Sequence, residues 1–141
     1  MNFYLDASAI VPLILRDART ERMSAWIAEP RGDIFVSDFA ALEFLSVVSR
    51  QVRMGALSDE DGRKAIDLFE EWSHASTTQT LAGSADIALA KTIVRDFATK
   101  LAAADSLHLA AAINLGATLV TFDQRLAQAA QGRGTAVVTP E

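Results

Sequence analysis

Short β-prone runs alternating with longer stretches of helical spacing are what most restrict the folding of this chain. Phe3-Tyr4-Leu5, Asp33-Ile34-Phe35-Val36-Ser37, Thr118–Thr121 and Thr135–Val138 read as strands, and the Thr-rich stretch from Ser76 to Leu81 is β-prone. Between them, helices are expected over Ser8 to about Arg16, Thr20–Ala28, Asp38–Met54, Ser58 to about Trp72, Ser84 to about Phe97, 104–115 and 124–131. Their boundaries carry recognisable stops and starts. Pro30 and Gly32 end the second helix, Asp38 is read as the cap of the third, and Gly55 and Gly116 supply left-handed stops. Asp59, Glu60 and Asp61 open the fourth helix, where its dipole favours acids. Pro12 requires the first helix to place it near its first turn. Strands linked by helices are parallel crossovers. The expected class is therefore α/β: a three-layer α/β/α sandwich around a mostly parallel central sheet of four or five strands.

In such sheets the functional crevice lies beyond the carboxyl ends of the strands. Two of the strands deliver an aspartate there, Asp6 after Phe3-Tyr4-Leu5 and Asp123 after the 118–121 run. Two further acids stand out by context. Glu43 is the only charged residue between Asp38 and Arg50, in a helix apolar nearly all round, so it is expected near the core and in need of a cation. Asp105 is the only acid in the Ala- and Leu-rich run from Leu101 to Ile113. Each has a plainer explanation. Asp6, Asp123 and Asp105 could merely cap helices, and Glu43 could pair with an arginine. Separate explanations account poorly for four acids arriving in such apolar surroundings. Carboxylates alone, without Cys or His, suit Mg²⁺ or Mn²⁺ better than zinc, and a cation held that way serves phosphoryl transfer. Four such charges cannot all ionise freely, so removing one, as in Glu43→Gln, is expected to stabilise the metal-free chain.

Length and composition limit the rest. The 141 residues, half of them hydrophobic, suit one domain, 1–141, with no linker or repeat. The absence of cysteine removes disulfides and thiolate metal sites, and fits a cytoplasmic location. Asp6 interrupts the only apolar start that could resemble a signal peptide, and no apolar stretch is long enough for a membrane helix. A net charge of −5 argues against a simple nucleic-acid-binding module but not against an enzyme whose acids hold cations.

Leu5-Asp6-Ala7-Ser8, Glu43 in its apolar helix, the run from Ala104 to Ala112 and the run from Gly116 to Asp123 together resemble the PIN-domain family, and in size and element order its VapC-type ribonuclease toxins. The resemblance spans essentially the whole chain. It implies a Mg²⁺- or Mn²⁺-dependent endoribonuclease acting on RNA, commonly a homodimer, inhibited by a cognate antitoxin protein. It places Asp6, Glu43, Asp105 and Asp123 in the metal-binding catalytic site, and Ser8 and Thr121 on small hydroxyl positions that help hold the acids. Other classes fit less well. A phosphoacceptor domain wants a late lysine, yet Lys64, Lys91 and Lys100 all precede the last acidic strand; a dehalogenase-like phosphatase wants a second Asp where Ser8 stands. A flap-endonuclease-like DNA nuclease would need added DNA-binding elements. A non-catalytic interaction domain of the same fold, or a nuclease of the family outside a toxin–antitoxin pair, are the alternatives. His108 reads as a hydrogen-bonded core residue more readily than as a site residue, and Arg16, Arg19 and Arg22 as RNA contacts or a solvated basic face.

Overall fold

The computed structural model describes every residue from Met1 to Glu141. In chain order the elements are β1 (Asn2–Leu5), α1 (Ala7–Ile14), α2 (Thr20–Ala28), β2 (Asp33–Ser37), α3 (Asp38–Arg53), α4 (Asp59–Ser76), β3 (Thr78–Thr80), α5 (Ser84–Arg95), a 3-10 turn (Phe97–Thr99), α6 (Ala103–Leu115), β4 (Thr118–Val120), α7 (Gln124–Gly132) and β5 (Val137–Val138). The five strands form one sheet in the order β3-β2-β1-β4-β5, and every pairing is parallel. β1 is thus central. It pairs Phe3 with Ile34 on one side, and Leu5 with Val120 on the other.

Alternation along the strands sorts their side chains into two layers. Phe3, Leu5, Val36 and Val120 point into one core with α1, α2, α3 and α4, where Trp26, Phe44 and Phe69 supply the bulk. Tyr4 and Leu119 point the other way, into a core built with α5, α6 and α7. The layers differ in kind. α6 is buried without a break from Ser106 to Ala112, which its run of alanines allows by letting the helix lie close to its neighbours.

Several local expectations need correction. α3 is capped by Ser37, whose hydroxyl accepts the Ala40 N–H at 3.0 Å, because Ser37 still has the extended backbone a cap requires. Asp38 is already helical, and its carboxylate instead accepts the Ala82 N–H across to the next layer at 2.7 Å. α3 is not buried all round: Ala40, Phe44 and Val48 face the core at i, i+4 and i+8, while Leu42 is 61% exposed. α4 runs on to Ser76, shortening β3 to Thr78–Thr80. Pro12 sits in the second turn of α1, not the first. Proline has no N–H to give the Ser8 carbonyl four residues back. The Arg19 guanidinium takes that place, donating to Ser8 O at 3.2 Å. Gly55 and Gly116 do adopt the left-handed backbone, with φ of +79° and +62°.

Candidate active site

Asp6 follows β1, and its N–H donates to Val120 O of β4 at 3.3 Å, so the ends of the two neighbouring strands are tied together. The Asp6 side chain is 3% exposed, yet neither oxygen is idle. Oδ1 accepts the Ser8 hydroxyl at 2.7 Å and the Ala9 N–H at 3.1 Å; Oδ2 accepts the Thr121 hydroxyl at 2.6 Å. The two hydroxyls, 3.2 Å apart, each have one proton and give it to Asp6, so their own contact is proximity rather than a bond. Each also accepts a backbone N–H from the β4–α7 loop: Phe122 to Ser8 at 2.9 Å, and Asp123 to Thr121 at 3.0 Å. One hydroxyl pair therefore fixes Asp6 and, through the backbone, Asp123. The Asp123 carboxylate caps α7, with Oδ1 accepting the Leu126 N–H at 3.0 Å. Asp6 and Asp123 thus do cap helices, and each stands at the carboxyl end of a strand.

Asp105 is different. It stands in the first turn of α6 but does not cap it; Ala102 holds the cap position and makes no side-chain bond. The Asp105 carboxyl is half-buried and accepts no hydrogen bond from the protein. Burial pushes its pKa above the usual carboxylate range, and the neighbouring charge of Asp123 adds to that, followed by those of Asp6 and Glu43. Burial likewise pushes Asp6 up, against the hydrogen bonds from its Ser8 and Thr121 hydroxyl partners.

Glu43, on α3, pairs with neither Arg50 nor another arginine. One carboxylate oxygen meets His108 Nε2. His108 lies one turn after Asp105 on the same face of α6, and its Nδ1 is 2.7 Å from the Tyr4 hydroxyl, itself 2.8 Å from Ser37 Oγ. One proton arrangement satisfies every atom: Nε2–H donates to Glu43, Tyr4 donates to Nδ1, Ser37 donates to Tyr4, and Ala40 N–H donates to Ser37. Burial pushes the Tyr4 hydroxyl pKa far up, so the phenol stays neutral. His108 is 2% exposed and hydrogen-bonded as a core histidine, and it also meets the Glu43 carboxylate. Its position three residues after Asp105 was the available signal; the Tyr4–Ser37 link joins residues 33 apart in sequence and gave none.

Asp6, Asp123, Asp105 and Glu43 therefore all belong to one end of the sheet, at β1, β4 and the helices α6 and α3 that flank them. No group of three or more carboxylate or imidazole side chains is drawn tightly enough to form a ready-made cage for one ion. The donor chemistry still fits a hard cation. The Asp105 oxygens and one oxygen each of Glu43 and Asp123 are unpartnered, and the repulsion at Asp105 is what a bound dication would reverse.

A family model described as PIN domain matches residues 3–132. The chain belongs to the PIN domain family. Among solved structures, this PIN domain superposes on FitAcB from Neisseria gonorrhoeae with a TM-score of 0.71 at 22% identity, covering 98% of this chain and 97% of that one. It superposes on VapC20 from Mycobacterium tuberculosis, a Sarcin-Ricin loop cleaving toxin, with a TM-score of 0.74 at 17% identity, covering 98% and 99%. VapBC2 from Rickettsia felis, bound to a DNA fragment from its promoter, gives 0.71 at 16% identity with both chains covered in full. At these identities the likeness is one of fold, and it confirms the all-parallel sandwich. No curated protein sequence matches. No helix of this PIN domain is long and apolar enough to cross a membrane.

Proposed function

We propose that this PIN domain is a Mg²⁺- or Mn²⁺-dependent endoribonuclease, the toxin of a toxin–antitoxin pair, with Asp6, Glu43, Asp105 and Asp123 as its catalytic acids. The observation that carries this reading is the unpartnered, half-buried Asp105 carboxyl under the combined charge of the other three acids. Such an arrangement costs stability unless a cation joins it. Family membership supports a nuclease, and the shared fold with FitAcB, VapC20 and VapBC2 supports a toxin held by a cognate antitoxin.

The chain's own residues divide the work. Ser8 and Thr121 hold Asp6 by both oxygens, so it enters the site with fixed orientation. Thr121 also fixes the backbone of Asp123, leaving Asp123 one oxygen beyond its cap bond. His108 orients Glu43 and leaves its second oxygen free. Asp105 offers both of its oxygens. When bound, the divalent cation supplies Lewis acidity that acidifies the attacking water and offsets charge gathering on the phosphate.

Cleavage of total RNA by wild type and Asp123→Asn, with and without Mg²⁺, tests the proposal. Wild type with Mg²⁺ should cut, and the other combinations should not. A wild type that neither cuts RNA nor binds Mn²⁺ in titration calorimetry would instead support a non-catalytic interaction domain.

A further inference from the structure

An RNA strand brought to a cluster of acids is repelled unless cations flank its path. Cations lie on both sides of Asp123, against Phe122 and along α7, the helix Asp123 caps. Toward α1 and α2, the guanidinium groups of Arg19 and Arg22 lie 5.5 and 5.3 Å from the centre of the Phe122 ring. Arg19 is already committed, to Ser8 O and to a two-point contact with Asp17. Arg22 is exposed and forms no ion pair. It is therefore a free positive charge steadied on an aromatic face, one residue from Asp123.

On the other side, a polar cleft of about 610 Å³ opens between the 3-10 turn and α7, with Lys100, Arg125 and Arg133 on its walls. Arg133 is shared with Asp96 at 3.8 Å; Lys100 and Arg125 form no ion pair. Lys100 is the only non-glycine residue with a left-handed backbone, φ +57°, and that strained conformation sits on the rim of the cleft. The two groups are separated by the sheet itself. Phe122 packs into the α1–α4 layer, whereas Leu126 beside Arg125 packs into the α5–α7 layer.

We propose that Arg22 on Phe122, and the Lys100–Arg125–Arg133 cleft, are two phosphate subsites that carry a single-stranded RNA across the acidic edge, one on each side of the cut. The inference rests on the nuclease reading above and adds where its substrate lies. A single strand is favoured over a duplex because the Asp105 carboxyl is half-buried, and a thin, flexible backbone reaches such a group where a rigid helix is held off. The subsites read phosphate charge and carry no base selectivity. They also give a chain of net charge −5 local positive charge for a polyanion, since Arg22, Lys100 and Arg125 are unpaired along the strand's path.

Fluorescence anisotropy of a labelled single-stranded RNA oligonucleotide, in EDTA to prevent cutting and across a range of NaCl, tests this. Binding by wild type should weaken with salt, and each lost phosphate contact should flatten the log–log slope by roughly 0.7. Arg22→Ala should therefore flatten it by roughly 0.7, the combined Lys100→Ala, Arg125→Ala and Arg133→Ala variant by about 2, and Arg22→Lys should keep the wild-type slope. If the triple variant melts early, Arg125→Gln and Lys100→Gln, both on exposed side chains, carry the same test singly. Wild-type slopes in the variants, or no RNA binding by wild type, would overturn the subsites. RNA bound with the expected slopes but never cut in Mg²⁺ would sink the nuclease reading and leave the subsites standing. RNA bound and cut by the variants as by wild type would do the reverse.

Discussion

Asp6 and Asp123 stand where strands end and each caps a helix, whereas Glu43 and Asp105 stand inside helices and cap nothing. The strand-end pair is held by the fold. Asp6 has three hydrogen-bond donors, and Asp123 is fixed at both backbone and carboxylate. The helix pair is held by side chains or by nothing: Glu43 leans on His108, and Asp105 is unpartnered. A cap's hydrogen bonds form whether or not a cation is present, so the first pair keeps its place in either state. Asp105 is brought in at a cost that a bound cation would offset. Carboxylates thus serve as struts at one place and stand without support at another, and substitutions should separate the two.

The largest effect is expected on catalysis at the open ligand. Asp105→Asn keeps the shape and removes the charge, and should lower the rate of RNA cleavage by about a thousandfold, roughly 4 kcal/mol at 1.36 kcal/mol per decade. Its melting temperature without metal should stay level or rise. Single-turnover cleavage of an RNA oligonucleotide beside a thermal melt reads both. An Asp105→Asn protein that cuts at the wild-type rate makes Asp105 an ordinary surface acid and breaks the comparison.

Next is the support behind Glu43. Tyr4→Phe removes the hydroxyl that joins His108 Nδ1 to Ser37 Oγ, in a pocket where Tyr4 is 1% exposed. Stranding those buried partners should cost about 1–3 kcal/mol of stability by denaturant titration. Cleavage should fall far less than in Asp105→Asn, since Glu43 loses only its second-hand anchor. A fall as steep as that of Asp105→Asn would mean that the chain of hydroxyls acts directly in the chemistry.

The strand–helix alternation, the parallel sheet and the placement of Asp6 and Asp123 at strand ends could be read from the chain because each depends on local pattern: period, breakers, and an acid after an apolar run. Gly55 and Gly116 were legible for the same reason. What eluded the sequence depends on pairings across it. That the cap of α3 is Ser37 rests on one backbone angle, not on residue type, since Asp38 would have served equally. The partner of Glu43 could be any cation from composition alone, and only the packing of α6 against β1 selects His108. The exposed face of α3 was misjudged because apolar residues such as Leu42 do not by themselves create a neighbour to bury them. Among the four acids, the one without a hydrogen-bond partner is Asp105, so relief of repulsion is read most directly there.

The unpartnered Asp105 carboxyl has a pH signature. Asp105 and Asp6 both hold their protons more tightly folded than unfolded. A raised folded pKa contributes stability that is complete below the unfolded value, near 3.8, and is lost as pH rises through the folded value. Metal-free protein should therefore lose this contribution on going from acid toward neutral pH. Asp105→Asn should flatten the loss, and saturating Mg²⁺ should offset it at neutral pH, where binding releases protons. Thermal melts from acid to neutral pH in EDTA would show it. Equal slopes in wild type and Asp105→Asn would mean the Asp105 carboxyl is as solvated as an unfolded one.

The smallest expected effect is the most discriminating. At Asp123 the proposed ligand and the cap are the same carboxylate: Oδ1 takes the Leu126 N–H and the other oxygen makes no hydrogen bond. Asparagine caps a helix about as well as aspartate, through its side-chain carbonyl, while alanine forfeits roughly 1 kcal/mol. Asp123→Asn should thus shift stability by only a few tenths of a kcal/mol, and Asp123→Ala by about 1 kcal/mol, with cleavage lost in both. Stability and activity then part company at a single side chain, because the cap needs an oxygen and the cation needs a charge. If Asp123→Asn loses as much stability as Asp123→Ala, the negative charge itself steadies α7 through its dipole, and Asp123 is a strut before it is a ligand.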